Sequence, residues 1–468
     1  MSPACWPVVV SAYAASLLAT AAIVNATVKD PYMDEIFHIP QAQRYCKADY
    51  WTWDPMITTP PGLYLISSSI LTPLMQWLQQ DLCTTAILRG TNIIFATGIL
   101  VVLSKLLKVL HPGIDSTRLS LYALALGCFP VSLFYTFLYY TDTGSTFFVL
   151  LSYLLAKQRR YWSSGLIALI SLAFRQTNIV WLIFTAGISA VDILGVNKKS
   201  DDLSQTLYNP VADRATSIAQ YLQSVQSLVI LAITKLPQLI PRLSTFVLSI
   251  GAFASFIYWN KGIVLGDHSA HVAGLHFPQL FYFISFLTFF ALPFMVDTKI
   301  MKRAMQQLQT LSLVRFISAA AIASGMLYLV HNYTYEHPYL LADNRHYSFY
   351  LWRKLYKRHW SVRYLLTPIY MACGWLCYIT IAPSVTVLFL LAFSAATALT
   401  LVPSPLLEFR YFIIPVYIFL VHIKVPSKFK SGLAIVLYLS INAWTIWMFL
   451  HKGFIWDSEI GRVQRFIW

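Results

Sequence analysis

An all-α, polytopic membrane protein is the fold class this sequence predicts, and three observations carry the prediction. Mean hydropathy is +0.61. Of 468 residues, 57% are hydrophobic and only 11% are charged. Uncharged apolar runs long enough to cross about 30 Å of hydrocarbon recur from end to end, with basic residues clustered between them. That clustering is the positive-inside pattern, and it explains the formal charge of +15 more simply than nucleic-acid binding does. The chain carries no P-loop, G-x-S-x-G elbow or dinucleotide fingerprint, which argues against soluble-type nucleotide chemistry.

Taken in order, the apolar runs give roughly thirteen transmembrane helices in a single integral-membrane domain. Trp6–Val28 lacks both a basic n-region and a small-residue cleavage site, so it reads as a retained anchor. A polar loop, residues 29–90, follows. Within it Gly62–Leu78, with Pro73 and three consecutive serines, reads as a helix on or dipping into the surface. Spans are then expected at Thr91–Leu110, Leu119–Tyr140, Ser145–Ala156, Tyr161–Phe174 and Thr177–Leu194. The connector 197–236 carries Ile218, Leu222, Val225, Val229, Ala232 and Leu236 on one helical face, which predicts an interfacial helix over Asp213–Leu236. Further spans follow at Pro237–Trp259, Phe277–Val296, Leu313–Val330, Tyr364–Ile381, Val385–Val402, Tyr411–Ile423 and Leu433–Leu450.

Charge sets the sidedness. With Gly62–Leu78 non-spanning, Lys105, Lys108, Arg118, Lys157, Arg159, Arg160, Lys198, Lys199, Lys299, Lys302, Arg303, Lys424, Lys428 and Lys430 share one face, which is then cytosolic. The loop 29–90, Tyr139–Gly144, Phe174–Gln176, Asn260–Phe277 (with Asp267, His268 and His271), residues 331–363 and Leu406–Arg410 fall opposite, in a lumen or outside. The segment 331–363 breaks the rule, because it is the most basic stretch of the chain and is nevertheless luminal. Either a span is miscounted, or it is a solvated helix, or its arginines and histidines serve anions, phosphate being the natural candidate at a membrane.

The chemistry concentrates in Tyr32–Tyr64, which places Asp34, Glu35, His38, Arg44, Trp53 and Asp54 in one polar interlude. Pro40 suits the first turn of a helix, so a short helix is expected to begin there, with Asp34, Glu35 and His38 on the connector before it. A carboxylate held beside hydrocarbon and aromatic rings can act as a general base. The competing reading is a metal site of Asp34, Glu35 and His38 joined by Asp142 or Asp267, although no closed metal motif is present. Cys46 and Cys83 could pair if the loop faces an oxidising lumen, but spacing does not give connectivity. Cys5, Cys128, Cys373 and Cys377 lie in apolar runs and read as buried small residues. The sequons at Asn25 and Asn332 lie close to the bilayer, where glycosylation is doubtful.

The runs YMDEIFHIPQAQRYC, WDPMITTPPGLY, LYYTDTGS, FRQTNIVW, HPYLLADNRHYSFYLWRK and LEFRYFIIP are long and specific. They resemble the endoplasmic-reticulum α-1,2-glucosyltransferases that complete the lipid-linked oligosaccharide. The resemblance runs from the first span almost to the last residues and is lost over the cytosolic connector. It implies a GT-C architecture whose luminal loops form the active site. The implied donor is dolichyl phosphate glucose, and the acceptor is the diglucosylated high-mannose oligosaccharide on dolichyl diphosphate. Transfer would be inverting, onto the terminal glucose 2-hydroxyl, with no cofactor and no metal required.

The same resemblance places the base in the acidic motif, at Asp34 or Glu35. Asp34 is the expected base, with Glu35 and His38 orienting the acceptor. Arg345 and His346 are expected on the donor phosphate, with Arg175 and Arg410 behind them. Arg44, Trp53, Asp54, Tyr140, Asp142, Gln176, His337, Asp343 and Glu408 complete the expected substrate-binding set. Two rivals stay open: a dolichyl-phosphate-mannose-dependent mannosyltransferase on the same architecture, and a transporter or channel-associated protein without chemistry.

Overall fold

A computed structural model of the protein describes residues 6–195, 206–267, 273–309 and 312–468. Cys5, Lys198, Lys199, His268 and His271, singled out above, lie outside the described residues. The chain forms two compact units. The first comprises Met1–Ile193, Lys235–Val272 and Leu437–Lys452, and the second Leu194–Thr234, Ala273–Val436 and Gly453–Trp468.

In the first unit the helices run α1 (Trp6–Thr27), α2 (Glu35–Cys46), α3 (Gly62–Leu78), α4 (Thr85–Leu110), α5 (Ser116–Gly127), α6 (Pro130–Tyr135), α7 (Thr141–Lys157), α8 (Tyr161–Leu172) and α9 (Asn178–Leu194), followed by Leu236–Asn260. The 22 residues of α1 rise about 33 Å, enough to cross hydrocarbon. Its Tyr13 hydroxyl donates to the Gly127 carbonyl (2.8 Å), fixing it to the end of α5. Two glycines permit close crossings here. A Cβ on Gly62 would lie 2.5 Å from the Ala173 carbonyl oxygen, and one on Gly165 would lie 2.2 Å from Thr245 Oγ1. Any side chain at either position would push the two backbones apart.

Two expectations need correction. The run Leu119–Tyr140 is not one helix, because α5 ends at Gly127 and α6 begins at Pro130. The pyrrolidine ring excludes the helical region at Phe129 (φ −55°, ψ 120°), and Pro130 has no N–H to continue the ladder. α6 itself ends at Tyr135, and Leu138–Tyr140 lie outside any helix, with Tyr140 extended. The second correction is that α2 begins at Glu35, not at Pro40, so Pro40 lies inside the helix. Asp34 is its N-cap residue, and its carbonyl accepts from the N–H groups of Phe37 and His38 (both 3.1 Å). Glu35 and His38 are therefore helical.

A disulfide joins Cys46, the last residue of α2, to Cys83, just before α4. It settles the pairing that spacing left open. The thiols of Cys128, Cys373 and Cys377 are free.

In the second unit, Ile218–Thr234, Gln279–Met295, Thr298–Gln309, Leu313–Tyr333, Thr367–Ile381, Val387–Leu401 and Ile413–His422 are the main helices. The expected interfacial helix forms over Ile218–Thr234 only, with Ile218, Leu222, Val225 and Val229 exposed as an apolar face. Residues 210–212 instead pair with Val385 and Val387 (Ala212 N to Val385 O 2.8 Å, Val387 N to Pro210 O 3.0 Å). The basic segment folds as short helical pieces, Pro338–Ala342, Tyr347–Leu351 and Val362–Leu365 among them. Residues 453–468 add a two-stranded antiparallel pair, Phe454–Ile455 with Val463–Gln464.

Among the described residues, six helices are long and apolar enough to cross a membrane, and six shorter apolar helices accompany them. Apart from that short strand pair, the protein is a helical, multi-pass membrane protein. Length and composition leave the expected total of thirteen spans unconfirmed.

Candidate active site

The start of α2 is the most tightly tied polar region of the first unit. Glu35 is fully buried, and each of its carboxylate oxygens accepts two hydrogen bonds. Oε1 takes Arg89 Nε (2.9 Å) and the Tyr139 N–H (2.6 Å). Oε2 takes Arg89 Nη2 (2.6 Å) and the Tyr32 N–H (3.0 Å). The carboxylate's lone pairs are thereby used.

Arg89, from α4, is equally committed. Beyond Glu35 it donates through Nη1 to Asn25 Oδ1 (2.8 Å) and the Val28 carbonyl (2.6 Å), and through Nη2 to the Asp30 carbonyl (3.1 Å). All five guanidinium N–H groups have an acceptor, and the side chain is 1% exposed. One turn on, Asn92 Nδ2 donates to the carbonyls of Leu138 (2.6 Å) and Tyr140 (2.9 Å). The two α4 side chains thus hold the end of α1, the connector and residues 138–140 against the first turn of α2.

Asp34 sits at the edge of this frame, half-buried, with its N–H donating to the Tyr140 hydroxyl (3.1 Å). His38 Nδ1 bonds the Tyr64 hydroxyl, and its ring lies 6.2 Å from that of Tyr140. Gln41 spans the loop beyond, donating to the Thr52 carbonyl (2.8 Å) and accepting from the Asp54 N–H (3.1 Å). Asp54 then accepts from the Met56 N–H (2.9 Å), and Trp53 Nε1 donates to the Ile57 carbonyl (3.2 Å). Trp51 is 95% exposed and Arg44 is exposed. Asp142, in the first turn of α7, is buried and takes Arg175 Nη1 (2.7 Å), while Gln176 donates to the Thr58 carbonyl (2.7 Å). The Asp267 N–H donates to the Pro55 carbonyl (2.9 Å). Residues 34–64, 139–142, 175–176 and 265–267 thus belong to one connected polar region of this unit.

The second unit gathers the other candidates. Arg345 forks onto Asp343 through Nε and Nη2 (both 2.8 Å), and His346 Nε2 lies 3.8 Å from Asp343 Oδ2. Arg410 makes the same i, i+2 pair with Glu408, through Nε and through Nη2 (3.1 Å to Oε1). Burial pushes the Asp343 carboxyl up, but hydrogen bonds from Arg345 and the charges of His346 and Arg345 outweigh it and hold it below the usual carboxylate range. Burial likewise opposes ionisation of Glu408, yet the charge and hydrogen bonds of Arg410, aided by His346 and Tyr411, bring its pKa down to about 2. His337 caps Pro338–Ala342 through its Nδ1, which accepts from the Tyr339 N–H (3.1 Å). Arg353, Lys354, Lys357 and Arg358 are exposed. Among the described residues no three His, Cys, Asp or Glu side chains cluster as a metal site; Glu35 is directed at an arginine.

Sequence reasoning missed Arg89 and Asn92. Starting the span at Thr91 left Arg89 in the loop, whereas α4 begins at Thr85. The signal was an arginine and an asparagine at i, i+3 at the mouth of a long apolar run, a costly pairing that asks for buried partners.

These features define a multi-pass membrane protein with a framed carboxylate in one unit and carboxylate-paired arginines in the other. The model of the DIE2/ALG10 family matches residues 28–421, and the chain belongs to that family. It is 37% identical over 466 residues to a mouse protein, covering 95% of this chain and 94% of that one. An Arabidopsis thaliana relative is 35% identical over 493 residues, covering 95% and 96%. Both bear the name Dol-P-Glc:Glc(2)Man(9)GlcNAc(2)-PP-Dol alpha-1,2-glucosyltransferase, so the resemblance read from the sequence is borne out. Among solved structures, an Archaeoglobus fulgidus oligosaccharyltransferase aligns over 92% of this chain and 55% of its own, at 14% identity and a TM-score of 0.34, a likeness too loose to inform the fold.

Proposed function

We propose that this protein is a dolichyl-phosphate-glucose-dependent α-1,2-glucosyltransferase. It moves glucose onto the terminal glucose 2-hydroxyl of the diglucosylated oligosaccharide on dolichyl diphosphate, for protein N-glycosylation. The observation that carries this reading is identity of 35% or more along 95% of the chain with relatives bearing that name.

Asp34 is the general base. Glu35 is its neighbour in sequence, but with both oxygens filled by Arg89 and two backbone N–H groups it has no lone pair for a substrate proton. The acceptor 2-hydroxyl oxygen attacks the donor's anomeric carbon as its proton passes to Asp34. The anomeric carbon–oxygen bond to phosphate breaks, dolichyl phosphate leaves with the bonding pair, and the anomeric configuration inverts. Arg345, His346 and Arg410 serve the phosphate, whose charge grows as that bond breaks. No metal is needed for a lipid-phosphate leaving group. The GT-C architecture, with loops facing the lumen of the endoplasmic reticulum, fits the positive-inside pattern. It also fits the Cys46–Cys83 disulfide, which persists in an oxidising compartment.

The test is a transfer assay on purified protein with glucosyl and mannosyl dolichyl phosphates offered in parallel. Glucose alone should be transferred, and Asp34→Asn should lower turnover roughly 10³-fold with protein abundance unchanged. Mannose transfer, or no transfer, overturns the reading, and near-normal turnover of the Asn variant removes Asp34 from its role.

A further inference from the structure

Residues 453–468 belong to no candidate site identified from the sequence, yet their contacts within the second unit converge on residues 343–347. The backbone of Ile467 bridges to the segment ahead of Tyr347: its N–H donates to the Arg345 carbonyl (2.9 Å), and its carbonyl accepts from the Tyr347 N–H (3.0 Å). His346 Nδ1 donates to the Trp468 main-chain oxygen (3.0 Å), which turns Nε2 toward Asp343. The Arg345 guanidinium stacks 4.6 Å from the Trp456 ring, and its Nη1 donates to Gln464 Oε1 (3.0 Å). That amide cannot flip without loss, because Gln464 Nε2 is held by Glu459 Oε2 (2.9 Å). Trp456 Nε1 in turn donates to Asn344 Oδ1 (2.8 Å). The Trp468 ring touches both Tyr347 (5.3 Å) and Phe409 (5.9 Å), so it also bridges toward the Glu408–Arg410 pair.

Apolar packing through Phe466, Ile467 and Trp468 anchors the segment, and its polar contacts do something more. The segment addresses the charged head of Arg345 from two directions, a ring face and an amide oxygen, and fixes the orientation of His346. We infer that residues 453–468 form a strap that aims Arg345 and His346, with Trp456 and Gln464 as positioning residues for the donor's phosphate. An arginine whose plane is fixed by Asp343, by stacking and by a neutral acceptor loses less rotamer freedom when an anion arrives. The inference rests on the assignment of Arg345 to the phosphate.

The experiment varies dolichyl phosphate glucose at saturating acceptor on the purified full-length enzyme, comparing wild type, Arg345→Ala, Gln464→Met and Trp456→Leu. Both strap variants should raise the donor KM roughly five- to tenfold, with kcat within about twofold and acceptor KM unchanged. Trp456→Phe, which keeps a ring face, should recover most of the donor affinity. If Arg345→Ala raises the donor KM but Gln464→Met and Trp456→Leu do not, the strap inference falls while the phosphate assignment stands. If Arg345→Ala leaves the donor KM unchanged, the assignment falls and takes the strap with it. Should Trp456→Leu fail to accumulate, Gln464→Met, which keeps volume and removes the amide that accepts from Arg345 and donates to Glu459, decides the matter by the same KM measurement.

Discussion

Replacing Arg89 by methionine is the sharpest test of the frame around the acidic pair. The substitution leaves the Glu35 carboxyl fully buried with only the N–H groups of Tyr32 and Tyr139, and it strips the donor from Asn25 Oδ1 and the carbonyls of Val28 and Asp30. Breaking a buried ion pair from one side costs about 3–5 kcal/mol, and each orphaned acceptor adds about 1–3 kcal/mol where it finds no water. A loss of at least about 4 kcal/mol is therefore expected, read as a drop in the thermal unfolding midpoint of the detergent-solubilised protein.

The double variant Arg89→Met, Glu35→Leu separates charge from alignment. With no uncompensated carboxylate it should recover at least about 2 kcal/mol relative to Arg89→Met. Its turnover should nevertheless stay about a hundredfold below wild type, because the first turn of α2 is no longer pinned and a displacement near 1 Å at Asp34, the proposed base, is enough for that loss. A single Arg89→Met variant with wild-type stability and turnover would refute the reasoning, since five saturated donors would then hold nothing that matters. A double variant restored in both stability and rate would confine Arg89 to folding.

Three further outcomes follow from other parts of the molecule. Transfer should survive EDTA; a strict divalent-cation requirement would return Asp34 and its neighbours to the metal reading. Burial, opposed by the bond to the Pro405 carbonyl, drives the pKa of His276 down to about 4. The unfolded chain therefore takes up that proton first, and stability present above pH about 6.5 falls by an amount of order 3 kcal/mol toward pH 4. His276→Asn should flatten that window in pH-dependent unfolding, and an unchanged slope would count against the assignment. The Glu408 contribution has the same sign but a lower window, lost as pH falls from about 4.5 toward 2. Finally, Cys46→Ser with Cys83→Ser opens a link between residues separated by 37 positions and should cost up to about 4 kcal/mol. Wild-type protein whose gel mobility does not change on reduction would contradict the disulfide.

Much of the helical framework was legible because hydropathy and its runs are local. The expected span at Pro237–Trp259 appears as Leu236–Asn260, and Tyr161–Phe174 appears as Tyr161–Leu172. Pro130 was a visible breaker that the apolar run around it concealed. Pro40 misled in the opposite direction, because a first-turn preference was taken for a boundary while Asp34 and the Arg89–Glu35 pair start the helix one turn earlier.

The sequence by itself determined that this is a multi-pass membrane protein, that its polar chemistry gathers around Asp34–Glu35 and the basic segment near Arg345, and which family it resembles. Only the tertiary structure decided how the two adjacent acids differ. Glu35 is filled by an arginine 54 residues away and a backbone N–H 104 residues away, whereas Asp34 stands at the rim. Tertiary structure also brought residues 453–468 onto the 343–347 loop. The physical reason is the same in both cases: hydrophobic runs and helix breakers act over one or two turns of chain, but saturating a buried charge depends on which distant donors the fold delivers to it.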